Sequence, residues 1–178
     1  MPWGNFDTEN TRSTASGPGV CMAMTCHWIA RVYESADRQG VIQGLDNANQ
    51  LRALRHHVFN QAAFENRSGA DADAFIFGQY GLRGQRSVHR ATSKTLIAAI
   101  RGTAGTYLFG ALGGGSGHAM GIVHDGKEGW IFFDPNVGQR VFASESAFTK
   151  HLVSELADYS DLRDEFEIYR VIIRLRGG

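Results

Sequence analysis

The hydrophobic residues of this chain change their period near residue 105, and this change constrains the fold more than any other feature. Before it, helical spacings dominate, and Met24, Trp28 and Val32 recur every four positions; after it, short segments that are typical of strands dominate. Helices are predicted at 20–38, 47–66, 70–79, 93–101 and 145–156, and strands at 85–90, 105–111, 118–124, 130–134, 139–142 and 165–175. The pattern therefore predicts an α+β fold, in which N-terminal helices form one layer on a mostly antiparallel C-terminal sheet.

The predicted helices begin only after a polar stretch at residues 1–19, which is rich in Gly, Ser and Thr and ends in the turn signal Gly17-Pro18-Gly19. We therefore predict a loose lead-in at 1–19 and a single domain at 20–178, a length that suits one domain. The inner stripe of the second helix is expected to comprise Leu51, Leu54, Val58 and Ala62.

The charge balance and the hydropathy pattern exclude several classes of protein. The 178 residues include 18 Lys and Arg against 18 Asp and Glu, so the formal net charge is zero. A nucleic-acid-binding domain usually has a basic excess, so we expect no nucleic-acid partner. No apolar run approaches the roughly 18 residues of a transmembrane segment. The start, MPWGNFDTEN, lacks the basic and apolar regions of a signal peptide.

The chain has two cysteines, which is too few for a disulfide framework. Cys21 follows Gly17-Pro18-Gly19-Val20 and is predicted to open a helix, where the helix dipole stabilises a thiolate. The glycines before it leave room for a substrate backbone and for a backbone N–H that faces an oxyanion. Position alone leaves open that Cys21 is a small buried apolar residue. Cys26 falls on another helix face and is predicted to be a core residue.

A predicted hairpin in the run GHAMGIVHDGKEGWIFFDPN brings a histidine and a carboxylate together. With the turn centred on Gly126, His118 lies directly opposite Asp134, and their Cβ atoms are roughly 5 Å apart on one face. This register needs a loop with an odd number of residues, in which Gly126 and Gly129 supply positive φ angles. An Asp that accepts from one imidazole nitrogen orients the ring and leaves the other nitrogen for a nucleophile. A purely structural strand pair is the alternative.

The glycine-rich segment at residues 110–117, immediately before His118, does not have the features of a phosphate-binding loop. It lacks a following Lys-Ser/Thr and leads into a strand. It suits either the rim of a cleft that admits an extended substrate or a flexible hairpin loop. His124 and Asp125 lack metal-motif spacing, and His56 and His57 are predicted to be solvated. No metal or cofactor is therefore predicted.

Three motifs together resemble the YopT-like cysteine proteases of bacterial effectors: GVCMAMTCHWI around Cys21, GHAMGIV around His118 and WIFFDPNVG around Asp134. The resemblance implies a papain-like fold and a Cys-His-Asp triad in this chain order. It implies that Cys21 is the nucleophile, His118 the general base and acid, and Asp134 the residue that orients His118. It further implies an oxyanion-hole side chain a few residues before the nucleophile, for which Ser16 is the candidate.

The activity that the resemblance implies is that of a cysteine endopeptidase, an effector or toxin that cleaves target-cell proteins through a thioester intermediate. It also implies delivery into a target or host cell by a specialised secretion system, with a secretion chaperone or an immunity protein as candidate partners. On the same triad, a deamidase, an acyltransferase or an amidase is an alternative. A catalytically silent papain-like module that binds a partner through its cleft is another.

Overall fold

The computed structural model describes residues 20–34, 50–88, 93–113, 116–126, 129–162 and 165–173. Its helices are α1 (Cys21–Glu34), α2 (Gln50–Glu65), α3 (Gly69–Gln79), α4 (Ser93–Arg101) and α5 (Glu145–Asp158), with a 3₁₀ turn at Ser160–Leu162. Its strands are β1 (Leu82–Val88), β2 (Gly105–Gly113), β3 (Ser116–His124), β4 (Trp130–Asp134), β5 (Gly138–Phe142) and β6 (Glu165–Ile173). The predicted lead-in at 1–19 lies outside the described residues.

The strands form one six-stranded sheet in the order β1-β6-β2-β3-β4-β5, and all neighbouring strands are antiparallel. The predicted α+β class is therefore confirmed. The first strand begins at Leu82 rather than at the predicted Gln85. Its pairing with β6 joins the helical half of the chain to the strand-rich half.

Helices cover both faces of the sheet, so the expectation of one helical layer is wrong. Leu108, Val123 and Phe133 belong to the core on the side of α1 and α3. Phe109 and Ile122 belong to a second core, to which α4 and α5 contribute Leu96, Ile97, Ile100, Phe148, Leu152 and Leu156. The central strands carry apolar side chains on both faces, and each face must be removed from water.

Helix α1 is held against the sheet by Trp28, which is fully buried. The indole stacks on Phe133 with ring centroids 5.1 Å apart and donates from Nε1 to Oε1 of Gln139 at 2.8 Å. Thr25 adds a 3.0 Å hydrogen bond from Oγ1 to the carbonyl oxygen of Ala119 on β3. Helix α1 is thus fixed to β3, β4 and β5 by apolar and polar contacts.

Helix α2 does not bury the stripe that the sequence predicts. The side chain of Val58 is 48% exposed and that of Ala62 is exposed, whereas His57, Asn60 and Gln61 are buried. The predicted solvation of His57 is therefore wrong, because its Nδ1 lies 2.8 Å from the Tyr80 hydroxyl, an internal partner that replaces water. His56 is exposed as predicted, and the side chains of Leu51 and Leu54 lie outside the described part.

Gly121 on β3 is the residue on which the Trp28 ring rests. A Cβ atom at Gly121 would lie 2.5 Å from Cζ3 of Trp28. We predict that Gly121→Ala lowers the free energy of unfolding by about 1–3 kcal/mol, because it overpacks the α1–sheet contact. Urea unfolding measures this change.

Gly110→Ala is the matched control on the neighbouring strand, because a Cβ there would only reach Cβ of Glu167 at 4.0 Å. It should change the free energy of unfolding by less than about 1 kcal/mol. Equal losses in the two variants would contradict the packing explanation.

Candidate active site

The two cysteines differ in their surroundings. Cys21 is the first residue of α1, is partly exposed, and its Sγ lies 3.9 Å from the carbonyl oxygen of Gly117. Cys26 is fully buried in the core beneath it, as predicted. Burial, with smaller contributions from the charges of Asp73 and Cys21, raises the pKa of Cys26 far above its ordinary value. Of the two thiols, Cys21 is the one that faces a cleft.

His118 and Asp134 are hydrogen-bonded, although the predicted register is wrong by two residues. Ile122 pairs with Phe132 and His124 with Trp130, so Asp134 is a diagonal rather than a direct neighbour of His118. A shift of two residues keeps every side chain on its predicted face. Nε2 of His118 therefore still reaches Oδ1 of Asp134, at 2.8 Å.

The hairpin loop explains the register. It spans residues 125–129, an odd number as predicted, and the Asp125 N–H donates to the carbonyl oxygen of Gly129 at 3.1 Å. The Gly129 N–H donates in turn to Oδ1 of Asp125 at 3.1 Å. Gly126 has the predicted positive φ, at 84°. The side chain of Asp125 thus helps to close the loop.

His118 interacts with both of the other candidate residues. A carboxylate only accepts hydrogen bonds, so Nε2 of His118 carries the proton toward Asp134 and Nδ1 is the nitrogen left for Cys21. Burial lowers the pKa of His118, but hydrogen bonds to Asp134 and Cys21, together with their negative charges, outweigh it. The net effect raises the pKa to about 9. The imidazole is thus held as a cation over the physiological range.

Asp134 is fully buried, and each of its two oxygens accepts a hydrogen bond. Oδ1 also accepts from the backbone N–H of Asn136 at 2.7 Å, and Oδ2 accepts from the Tyr159 hydroxyl at 2.7 Å. Burial alone would raise the pKa of Asp134, but the bond and charge of His118 and the other two donors lower it. The carboxylate therefore stays ionised beside the imidazolium.

Tyr159 and Glu155 are near this pair, and sequence reasoning missed both. The Tyr159 ring stacks on the His118 imidazole with centroids 4.5 Å apart and planes 17° apart. Burial, together with the charge of Asp134 and a hydrogen bond to it, raises the pKa of Glu155 to about 7. Both residues come from the end of α5. No short motif could indicate them, because a packed helix brings them to the strand pair.

Cys21 and His118 lie in a cleft of about 730 Å³. The glycine-rich segment contributes Gly110, Leu112 and Gly117 to its wall, and α2 contributes Gln61, Phe64 and Glu65. Most of this glycine segment is strand rather than a flexible loop, since β2 and β3 pair as far as Gly113 and Ser116. At the far end, the Tyr169 hydroxyl lies 2.8 Å from Oε2 of Glu167 and 3.1 Å from Oδ2 of Asp73, and Arg86 pairs with Glu167.

Gln61 is a further cleft residue that the sequence did not indicate. Its Oε1 accepts from the backbone N–H of Ala23 in the first turn of α1, at 3.2 Å. Its Nε2 donates to Oε1 of Glu65 at 2.9 Å. Helix α2 therefore satisfies one of the free N–H groups at the end of α1 that carries Cys21.

The candidate oxyanion residue Ser16 lies outside the described residues. Within the described ranges, no three His, Cys, Asp or Glu side chains form a group that could hold a metal ion. None of the described helices is both long enough and apolar enough to cross a membrane.

Two solved structures share the fold along almost the whole chain. The Pseudomonas avirulence protein AvrPphB aligns with a TM-score of 0.66 and 18% identity, over 96% of this chain and 97% of that one. The ubiquitin-specific protease of murine cytomegalovirus tegument protein M48, solved with a ubiquitin-based suicide substrate, aligns with a TM-score of 0.61 and 16% identity. It covers 96% of this chain and 85% of that one. The fold is therefore papain-like.

A search of curated protein sequences found no match. The family model of peptidase C58, described as Yersinia/Haemophilus virulence surface antigen, matches residues 4–168. The match includes all three motifs and every described element except the end of β6. The chain thus belongs to peptidase family C58, the YopT-like cysteine peptidases.

Proposed function

We propose that this peptidase is an endopeptidase that cleaves proteins of a target cell through Cys21, His118 and Asp134. The observation that carries the proposal is the position of His118, which is hydrogen-bonded to Asp134 and lines the same cleft as Cys21. A thiol, an imidazole and a carboxylate in this order can act as nucleophile, proton carrier and orienting group.

The first step is attack of the Cys21 thiolate on the carbonyl carbon of the scissile amide. As the C–S bond forms, the carbonyl π electrons move to oxygen and give a tetrahedral oxyanion. The backbone N–H of Cys21, in the first turn of α1, has no acceptor within the helix and can donate to this oxygen. Ser16 remains the predicted second donor.

The second step expels the amine and leaves a thioester. The oxyanion collapses, the C–N bond breaks, and the imidazolium of His118 gives its proton to the departing nitrogen. Water then attacks the thioester carbon while His118 takes a proton from it. Breaking of the C–S bond releases the acid and restores the thiolate and imidazolium.

The open cleft suits a segment of polypeptide better than a small molecule. It extends from Cys21 between α2 and the strands to Arg86 and Tyr169, and its walls mix apolar and charged side chains. The virulence family to which the chain belongs supports a target-cell protein as substrate. Delivery into that cell by a specialised secretion system, with a chaperone or an immunity protein as partner, stays part of this proposal.

Cys21→Ala should lower the rate of substrate cleavage by roughly 10⁴-fold or more, because the attacking atom is removed. The measurement compares new protein N-termini in a target-cell lysate treated with wild type or variant, by mass spectrometry. Cys26→Ala, which removes a buried thiol, is the matched control and should retain cleavage. Mass shifts of about one dalton without new termini would contradict an endopeptidase and support a deamidase.

Asp134→Asn should lower kcat/KM on the order of 10²-fold and move the alkaline limb of its pH profile. His118 supplies its proton only below its raised pKa of about 9, so wild-type activity should fall above that pH. Without the carboxylate, this pKa moves down toward 6.5, and so does the limb.

The exposed Asp161→Asn is the matched control for this profile, since it removes a carboxylate outside the site. It should leave the limb near pH 9. An Asp134→Asn profile that coincides with that of wild type would contradict the orienting role of Asp134.

A further inference from the structure

We propose that Tyr159 is a positioning residue that holds the His118 ring and the Asp134 carboxylate in one fixed arrangement. Tyr159 contacts both groups through different parts of its side chain, the ring on His118 and the hydroxyl on Asp134. This inference rests on the proposed function, because it assigns Tyr159 a role in the same site.

The ring of Tyr159 restricts rotation of the His118 imidazole. The two rings are nearly parallel, at 17°, with centroids 4.5 Å apart. Rotation of the imidazole about its Cβ–Cγ bond would drive its edge into the tyrosine face. The stacking therefore keeps Nε2 directed at Asp134 and leaves Nδ1 for Cys21. An aromatic face also attracts the cationic imidazolium.

The hydroxyl of Tyr159 orients the carboxylate from its other side. It donates to Oδ2 of Asp134 at 2.7 Å, while Oδ1 accepts from His118. Nδ2 of Asn136 donates to the Tyr159 oxygen at 2.9 Å, so the hydroxyl proton is directed at Asp134. Burial and the charge of Asp134 raise the pKa of Tyr159 above its ordinary range, so the hydroxyl stays a donor.

Neighbouring elements hold Tyr159 in place. It follows α5 directly, and Phe148, Leu152 and Leu156 bury that helix against the sheet. Asn136 belongs to the turn between β4 and β5 and also donates its backbone N–H to Asp134. Two separate elements, a helix end and a strand turn, therefore converge on the carboxylate.

Other titratable and charged groups also surround Asp134. Glu155 and His151 on α5 interact with the charge of Asp134, and Arg140 on β5 interacts with those two groups. Glu155 and His151 act on the Asp134 carboxylate through charge. Tyr159 differs from them because it also touches the imidazole, so its loss should affect the geometry of the His118–Asp134 bond.

The test compares Tyr159→Phe, which keeps the ring, with Tyr159→Leu, which loses both ring and hydroxyl. The first readout is the rate at which an alkylating agent labels Cys21 near pH 6. The second is the proton NMR signal of the His118 Nε2–H, which is sharp when the bond to Asp134 excludes exchange with water. Neither readout needs a substrate.

Tyr159→Phe should slow the labelling of Cys21 by about 3-fold to 10-fold and broaden the Nε2–H signal, because one donor to Asp134 is lost. Tyr159→Leu should slow labelling and broaden the Nε2–H signal more than Tyr159→Phe does, because it also loses the ring that stacks on His118. The phenylalanine ring should therefore act as a partial rescue. Tyr107→Phe is the matched control. It removes a buried hydroxyl that donates to the Thr103 carbonyl oxygen at 2.7 Å, and it should change neither readout.

A folded Tyr159→Phe variant with wild-type labelling and a sharp Nε2–H signal would overturn the inference, even if its melting temperature fell. If neither Tyr159 variant folds, Asn136→Ala removes the side-chain donor to the tyrosine oxygen and should reproduce the same two changes on a smaller scale; their absence would also overturn it. Failure of the wild type to cleave any protein would instead overturn the proposed function, since labelling and NMR would still report on Tyr159.

Discussion

The contact between Trp28 and Gly121 sets how closely α1 approaches the sheet, and the rest of the site depends on that distance. The indole lies where a side chain on β3 would otherwise stand, and it is held by the Phe133 ring and the Gln139 amide. Helix α1 carries Cys21 at its first residue, and β3 carries His118 near its start. A helix that stood further from the sheet would separate the sulfur from the imidazole, whatever the sequence around each residue.

Burial of charge is the second constraint on the site. Asp134 is fully buried, which is costly for a carboxylate without partners. Here His118, Asn136 and Tyr159 supply three donors. The same bonds that make the buried charge tolerable also direct the imidazole, so stability and the proposed chemistry require the same geometry. The raised pKa of His118 is the consequence: below about pH 6.5 the cation's interactions stabilise the folded state fully, and this contribution is lost as pH rises through about 9.

Helix α2 shows why the helical half was harder to predict than the strands. Hydrophobicity assigned Val58 to its inner face, yet the buried face carries His57, Asn60 and Gln61. Each of these polar side chains has a partner on another element or in its own helix, such as Tyr80 for His57 and the Ala23 N–H for Gln61. Internal hydrogen bonds replace those to water, so polar groups can be buried at little cost. The spacing of hydrophobic residues along α2 does not reveal such partners.

Local spacing along the chain is enough to predict the α+β class, the different environments of Cys21 and Cys26, and the common face of His118 and Asp134. These follow from local spacing, because helices repeat at 3.6 residues and strands at two, and an error of two residues in register leaves each face unchanged. The hairpin register, the covering of the sheet on both sides, and the contacts of Tyr159 and Gln61 cannot be predicted from local spacing and are visible only in the folded chain. Those depend on packing between elements tens of residues apart, where loop closure and the pairing of buried polar groups select one arrangement among several that local patterns allow.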